Sequence, residues 1–449
     1  MGNSKEESRR NLIRERDRWI KKEQEYLCPV FRKYNDLVIS AADGIELKSV
    51  DGRRFLDFTG GAHVCNVGYS HPKILKATRE QLEKLDFAAL YNGVHPVRVQ
   101  LAGKLRNIAF GSLKEGKVAY CNDGSEATEF SIKLARYTTK RPFLFACFGA
   151  YHGGTMGALS LTLDSSDLRK YCGPFLPGII GIPYANCYRC TFRQEYPKCG
   201  MACIEQVEYI FKTVVDPEEV AAVFIEPIQA HGGVIVPPNE YFKKLRKVCS
   251  EHGILIMDDE VVTGFGRTGK MFGIQHFGME PDAMYFGKPI AAGMPLGAIL
   301  ARKELMDNWV SSGPASTLAA NLLACARASA LIDILQKEKL LENAANIGTY
   351  IVKRIRELAD EFPIIGDVRG KGLLIGIELV KNTKTKEPAQ EEVKQIMEKA
   401  YTKGLLFSVS GLYKNVIKFS PPLVLTKEQA DRAVNIIGES LKEITTQHK

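Results

Sequence analysis

The chain has 449 residues, 45% of them hydrophobic and 25% charged, which is the composition of a folded globular protein rather than a disordered or fibrous one. Its 61 Lys and Arg against 52 Asp and Glu leave a net charge of +9, spread along the chain, which excludes a nucleic-acid arm but suits phosphate and carboxylate ligands. No run nears the ~18 apolar residues of a membrane span, the opening MGNSKEESRRNLIRERDRW has no apolar signal-peptide core, and Glu6 breaks a myristoylation pattern, so a cytoplasmic protein without membrane or nucleic-acid partners is expected.

Residues 5–27 are predicted to form a solvated helix, with Arg9, Arg10, Arg14, Arg16 and Arg18 set among Glu6, Glu7, Glu15 and Asp17. LKSVDGRRFLDF reads as a hairpin turned at Asp51-Gly52. From about 72 to 310, short apolar runs alternate with amphipathic segments such as ATEFSIKLARY and NEYFKKLRKVCSEH. The runs are VAYC, FLFAC, AAVFIE, ILIMD, AMYF and GAILA. Strands that are apolar on both faces and spaced by helices imply an α/β protein with a mostly parallel, covered sheet. After about 315 the order becomes long helices, LLIGIEL, NVIKFSPP and a last helix from Lys427, a smaller α+β domain. The expected division is 1–70 for a helix and hairpin joining the small domain, 71–312 for the large domain and 313–449 for the small one.

Four of the 11 cysteines cluster as Cys187-x2-Cys190-x8-Cys199-x3-Cys203. A structural metal, one or two disulfides, and free thiols in a surface excursion are all compatible with that spacing. None of the three makes the cysteines catalytic, and no catalytic metal is expected.

Ligands of such sheets sit at the carboxyl ends of the strands. CNDGSEATEF ends a strand and opens a helix, so Gly124 and Ser125 form either an anion cradle or a plain N-cap. Tyr151-His152-Gly153-Gly154 offers a ring beside a close-approach backbone, for stacking on a flat cofactor or for core packing. Asp258, Asp259 and Glu260 end an apolar strand, where a carboxylate must be paired, hold a metal or hold the proton of a pyridinium nitrogen. Gly264-x-Gly266-x-x-Gly269 matches a dinucleotide fingerprint in letters, but acids precede it and no first strand does. Lys288 follows AMYF between Gly287 and small residues, where an apolar setting lowers its pKa and makes a Schiff-base nucleophile. Cradle, stacker, strand-end acid and strand-end lysine together indicate pyridoxal 5′-phosphate.

With these motifs, and from FLDFTGG and GYSHP to FSPPL, the chain resembles class III pyridoxal-phosphate aminotransferases, the ornithine and 4-aminobutyrate aminotransferase group. The resemblance implies the fold-type I architecture. It implies phosphate binding by Gly124 and Ser125, stacking by Tyr151 beside His152, a ring-nitrogen partner in Asp259 and a Schiff-base lysine in Lys288. It also puts Glu226 near the cofactor and Thr317 at the phosphate of a neighbouring subunit, hence an obligate homodimer. Four residues depart from the family pattern. Val262 replaces a common glutamine at the cofactor's phenolic oxygen, and Asp123 replaces a serine. Lys418 replaces an arginine that grips a substrate carboxylate, without its bidentate fork. His231 replaces the acid that pairs with that arginine. The leading expectation is transamination from an amino acid or ω-amine to a keto acid such as 2-oxoglutarate. Racemisation is the alternative, with Lys288 and His231 as acid/bases on opposite faces.

Overall fold

The apolar runs do form one sheet in the computed structural model, which describes residues 2–30, 33, 35–310 and 316–446. A helix spans Gly2–Tyr26, and a hairpin follows with strands β1 (Ile39–Asp43), β2 (Glu46–Ser49) and β3 (Arg54–Asp57). The large sheet contains β4 (Lys117–Cys121), β5 (Phe143–Cys147), β6 (Ile179–Ile182), β7 (Val220–Ile225), β8 (Leu255–Asp259), β9 (Ala283–Phe286) and β10 (Gly297–Ala301). Its order is β4-β10-β9-β8-β7-β5-β6, and only β10 runs against its neighbours.

Side chains alternate across each strand, and here both faces are apolar. Leu144, Phe224, Met257 and Tyr285 pack on one side against Ala127, Phe130 and Leu134 of the helix Gly124–Thr139. Phe145, Val223, Ile225 and Ile256 pack on the other against the helices Ala202–Thr213 and Asn239–Glu251. Each such buried side chain contributes about 2 kcal/mol of apolar transfer energy, so the strand ends are held on a rigid floor.

The C-terminal part supplies helices Leu322–Lys337 and Leu340–Glu361, then β11 (Ile365–Lys371), β12 (Leu374–Asn382), β13 (Glu387–Pro388), a helix Gln390–Thr402, β14 (Leu405–Leu406), β15 (Ser408–Ser410), β16 (Val416–Phe419) and the helix Lys427–Thr446. Strands β11, β12, β16 and β15 form an antiparallel sheet, and β14 adds to the hairpin in parallel with β3, Leu405 facing Leu56. Arg267, fully buried, ties these parts together by donating to Asn66 Oδ1 and to the carbonyls of Leu373 and Pro421. Gly266 and Gly269 carry left-handed backbone in that region, and a Cβ on Gly269 would crowd Ala345 at 2.9 Å, so these glycines serve turns and packing. Among the described residues no helix is long and apolar enough to cross a membrane.

Candidate active site at the strand ends

The end of β4 delivers the first group. Asp123 caps the following helix, its Oδ1 accepting the Glu126 N–H at 2.9 Å, which is the N-cap geometry expected of this segment. The cap leaves the Gly124 and Ser125 N–H groups at the helix start, where the dipole favours an anion. Gly287 lies against this turn: a Cβ there would sit 2.8 Å from Gly124 N and Cα. That close approach brings Lys288 beside the helix N-terminus.

Lys288 occupies a left-handed backbone position, φ +39°, a strained conformation of the sort held at functional sites. Its ammonium makes no hydrogen bond with any described residue. Burial lowers its pKa, while Asp259 and Glu226 act in the opposite direction. The free amine needed by a nucleophile is thereby brought nearer to neutral pH.

Strand β8 sorts its three acids by the two-residue alternation. Asp259 meets His152 Nδ1 at 2.7 Å through Oδ2 and accepts the Val261 N–H at 3.0 Å through Oδ1. Tyr285 OH lies 3.0 Å from the same His152 nitrogen. Glu260 accepts from Thr263 and from the Gly273 and Ile274 N–H groups, and burial pushes its carboxyl up to about 7. Asp258 is raised well above the usual carboxylate range by burial and by Glu260 and Asp259, so it is buried as a neutral acid. Asp259 is the acid that shares a network with His152.

The Tyr151 loop is fixed by Glu226, which accepts the Tyr151 and Ala230 N–H groups at 3.0 and 3.1 Å. Burial, then Asp259, raise the Glu226 carboxyl to about 7. Ser125 Oγ accepts the Gly154 N–H at 3.2 Å, closing the Tyr151 loop onto the anion cradle. The Tyr151 ring stacks on His231, centroids 4.2 Å apart and planes 14° off parallel. His231 Nδ1 stands 3.7 Å from Asp164 Oδ2. Burial and the charges of Lys418 and Lys288 drive the His231 pKa well below its usual value, leaving a neutral imidazole. Burial pushes the Asp164 carboxyl up to about 6.

Lys418, on β16, is buried, and burial with Lys288 brings its pKa down to about 8. Val262 is buried in the apolar cluster behind β8 and offers no polar group. Thr317 is exposed, and the adjacent Ser316 accepts from Asn122 Nδ2 at 2.6 Å, close to the cradle. Two members of the enclosure are absent from the sequence reading: Asp164, and His63, whose imidazole is buried among Lys418, Lys288, Arg267 and His231. Neither borders a recognisable strand end, although the Gly60-Gly61 pair before His63 signals an unusual turn.

These groups fit pyridoxal phosphate on chemical grounds. Two N–H groups at a helix start can take the phosphate, the Asp259 carboxylate can hold a pyridinium proton, and a partnerless enclosed lysine can bond to an aldehyde.

The cysteines lie elsewhere. Cys187, Cys190, Cys199 and Cys203 line one small cavity as free thiols, with burial pushing Cys203 up to about 11. Among the described residues no set of three or more His, Cys, Asp or Glu is placed to hold a metal, so neither the metal nor the disulfide reading finds support here. Arg189, inside this excursion, pairs with the buried Glu378 of β12. Glu378 also meets Arg369 at 2.8 Å, and Arg369 donates to the Gly233 and Val234 carbonyls, two and three residues past His231. A separate cavity of about 1000 Å³, lined by Trp19, Leu27 and Val38, contains none of the site groups.

A family model described as Aminotransferase class-III matches residues 30–441. The chain is similar to an alanine/serine racemase of Pyrococcus horikoshii, 40% identical over 91% of this chain and 86% of that one. It is also similar to a leucine/methionine racemase of Thermococcus litoralis, 39% identical over 92% of each chain. Among solved structures it superposes on an amine transaminase from an uncultivated Pseudomonas species in its pyridoxal-phosphate-bound form. The TM-score is 0.87 and the identity 32%, covering 93% of this chain and 98% of that one.

Proposed function

Since the chain belongs to the class-III aminotransferase family and works with pyridoxal phosphate, we propose that it racemises free amino acids, with amino transfer to a keto acid as the second reading. The observation that carries this order is His231. A neutral imidazole lies in the same enclosure as Lys288, flat against Tyr151, with Asp164 behind it. Bound pyridoxal phosphate supplies an electron sink for charge left at the substrate α-carbon. Lys288 Nζ removes and returns the α-proton on one face. Inversion requires a second acid/base on the other face in the opposite protonation state: a neutral His231 imidazole takes the α-proton of one enantiomer while the Lys288 ammonium delivers one, and the imidazolium with the free Lys288 amine serves the reverse direction. Asp164 orients that ring and balances its charge when protonated. The two racemase relatives support this reading. The amine transaminase neighbour and the family description favour transfer, in which Lys288 acts alone and His231 only shapes the pocket.

The test uses the holoenzyme in deuterium oxide with single L-amino acids, with and without 2-oxoglutarate, reading chirality, α-deuteration and glutamate. Inversion without any keto acid is expected. His231→Ala is expected to keep α-exchange through Lys288 and to lose inversion by about 10²-fold or more. Glutamate formation far faster than loss of chirality would reverse the order of the two readings.

The active unit in this proposal is a homodimer. Leu90, Tyr91 and Val94 are 45%, 83% and 90% exposed in the single chain, with Leu85 and Val99 flanking them. A contiguous apolar segment of this kind is covered in a stable protein. Thr317, exposed beside the cradle, is free to reach the neighbouring subunit's phosphate. Tyr91→Asp with Val94→Asp is expected to convert dimer to monomer in sedimentation and to abolish turnover. A fully active monomer would overturn the shared-site proposal.

A further inference from the structure

His63 stands where the backbone is least relaxed. Gly60, Gly61, Ala62 and His63 have φ of +58°, +59°, +58° and +69°, forming one left-handed turn in which two residues carry a Cβ. The His63 and Val64 N–H groups close that turn on Thr59 and Gly60 carbonyls at 3.0 and 2.9 Å. Such backbone persists only where its surroundings enforce it.

Those surroundings are the strand that carries Lys418. Ser420 N donates to the Phe58 carbonyl at 2.8 Å, and Ser420 Oγ donates to the Thr59 carbonyl at 3.1 Å. A Cβ on Gly60 would collide with the Ser420 carbonyl, so only glycine allows the turn to lie this close. The two segments are thus pinned together two residues beyond Lys418 on one side and four to five residues before His63 on the other.

Both side chains are buried and unsatisfied. His63 is 4% exposed, and its Nδ1 has no hydrogen-bond partner among the described residues. Lys418 is 3% exposed and makes no hydrogen bond with any described residue. Of the charges acting on His63, that of Lys418 is the strongest, followed by Lys288, Arg267 and His231. Three cationic side chains, Lys418, Lys288 and Arg267, act on this imidazole. Glu226 and Asp164 attract Lys418 without hydrogen-bonding to it, so its ammonium stays open to a ligand oxygen, and a lone ammonium binds only one oxygen of a carboxylate well.

We propose that Lys418 and His63 together seat the substrate carboxylate, the ammonium of Lys418 binding one oxygen and His63 Nε2–H donating to the other. The pair replaces, by two separate side chains, what one guanidinium fork would do. The proposal rests on the reading that the substrate is an amino acid, which racemisation and amino transfer share. It makes His63 the residue that selects carboxylate-bearing substrates over plain amines.

Isocaproate, which has the leucine carbon skeleton and no amine, is titrated calorimetrically into the holoenzyme. Isoamylamine, the same skeleton without a carboxylate, is followed by the absorbance of the bound cofactor. His63→Leu, which keeps bulk and removes the donor, is expected to weaken isocaproate about tenfold or more. His63→Asn, which tolerates left-handed backbone and keeps an N–H donor, is expected to weaken it less. Lys418→Met is expected to abolish its binding. Isoamylamine is expected to change less than twofold in the two His63 variants. The proposal is overturned if isocaproate fails to bind the wild type, if both His63 variants bind it as tightly as wild type, or if isoamylamine affinity falls in parallel. Isocaproate carries no amine and cannot be turned over, so a chain that transaminates rather than racemises leaves its outcomes unchanged, and isoamylamine is read from the first absorbance change on mixing.

Discussion

Lys288→Ala is expected to be folded and to have lost about 10⁴-fold or more of its turnover, because one side chain supplies both the bond to the cofactor and the proton moved at the substrate carbon. The enclosure makes that substitution clean. The lysine ammonium makes no hydrogen bond with any described residue, so its removal orphans no partner and takes an unfavourable buried charge away. Alanine meets the same left-handed backbone cost that lysine already bears at φ +39°. Borohydride reduction of the wild type followed by peptide mapping is expected to place the pyridoxyl label on Lys288, with none on the variant. A label on Lys418, the other buried lysine in the enclosure, would reject the assignment.

Asp259→Asn is expected to bind cofactor and to lose on the order of 10³-fold in rate. The amide keeps an oxygen for the Val261 N–H but presents no charge toward His152 or a pyridinium nitrogen. An unprotonated ring nitrogen is a weak electron sink. A second signature accompanies the rate loss. Asp259 holds the Lys288 pKa up against desolvation, so removing its charge moves the pH at which the bound cofactor's absorbance changes downward. Near-normal turnover, or an absorbance transition that moves upward, would rule out the role given to Asp259.

Most of this architecture was legible because buried parallel strands carry apolar residues on both faces. Phe143–Cys147, Val220–Ile225 and Ala283–Phe286 therefore stand out from their helices, and the residues just beyond them name the site. Strand β6 does not stand out, since Ile179–Ile182 contains Gly181 and is closed by Pro183. Strand β11 is equally hidden, because its Gly, Asp, Arg and Lys pair antiparallel with β12 and leave only Ile365 and Val368 fully inside. The helix Gln390–Thr402 also went unread between LLIGIEL and NVIKFSPP. Asp164 and His63 reach the site from loops whose positions depend on tertiary contacts, the first through the loop after the helix Met156–Leu161, the second through the turn pinned by Ser420. Nothing local to either stretch encodes that meeting.

The Arg189–Glu378–Arg369 relay bears on how far this chain can be shortened. The cysteine excursion has the look of a detachable ornament, with its four cysteines as free thiols and, among the described residues, no set of three or more metal-ligating side chains. Excising it would remove one of the two guanidinium partners of a carboxylate that is almost wholly buried on β12. Arg369, left as the remaining partner, also supports the Gly233 and Val234 carbonyls just past His231, so trimming is expected to lower stability and to loosen that loop together. Modules that look independent on the outside can share a single counter-charge on the inside, and here that shared charge ties the cysteine excursion to the loop that follows His231.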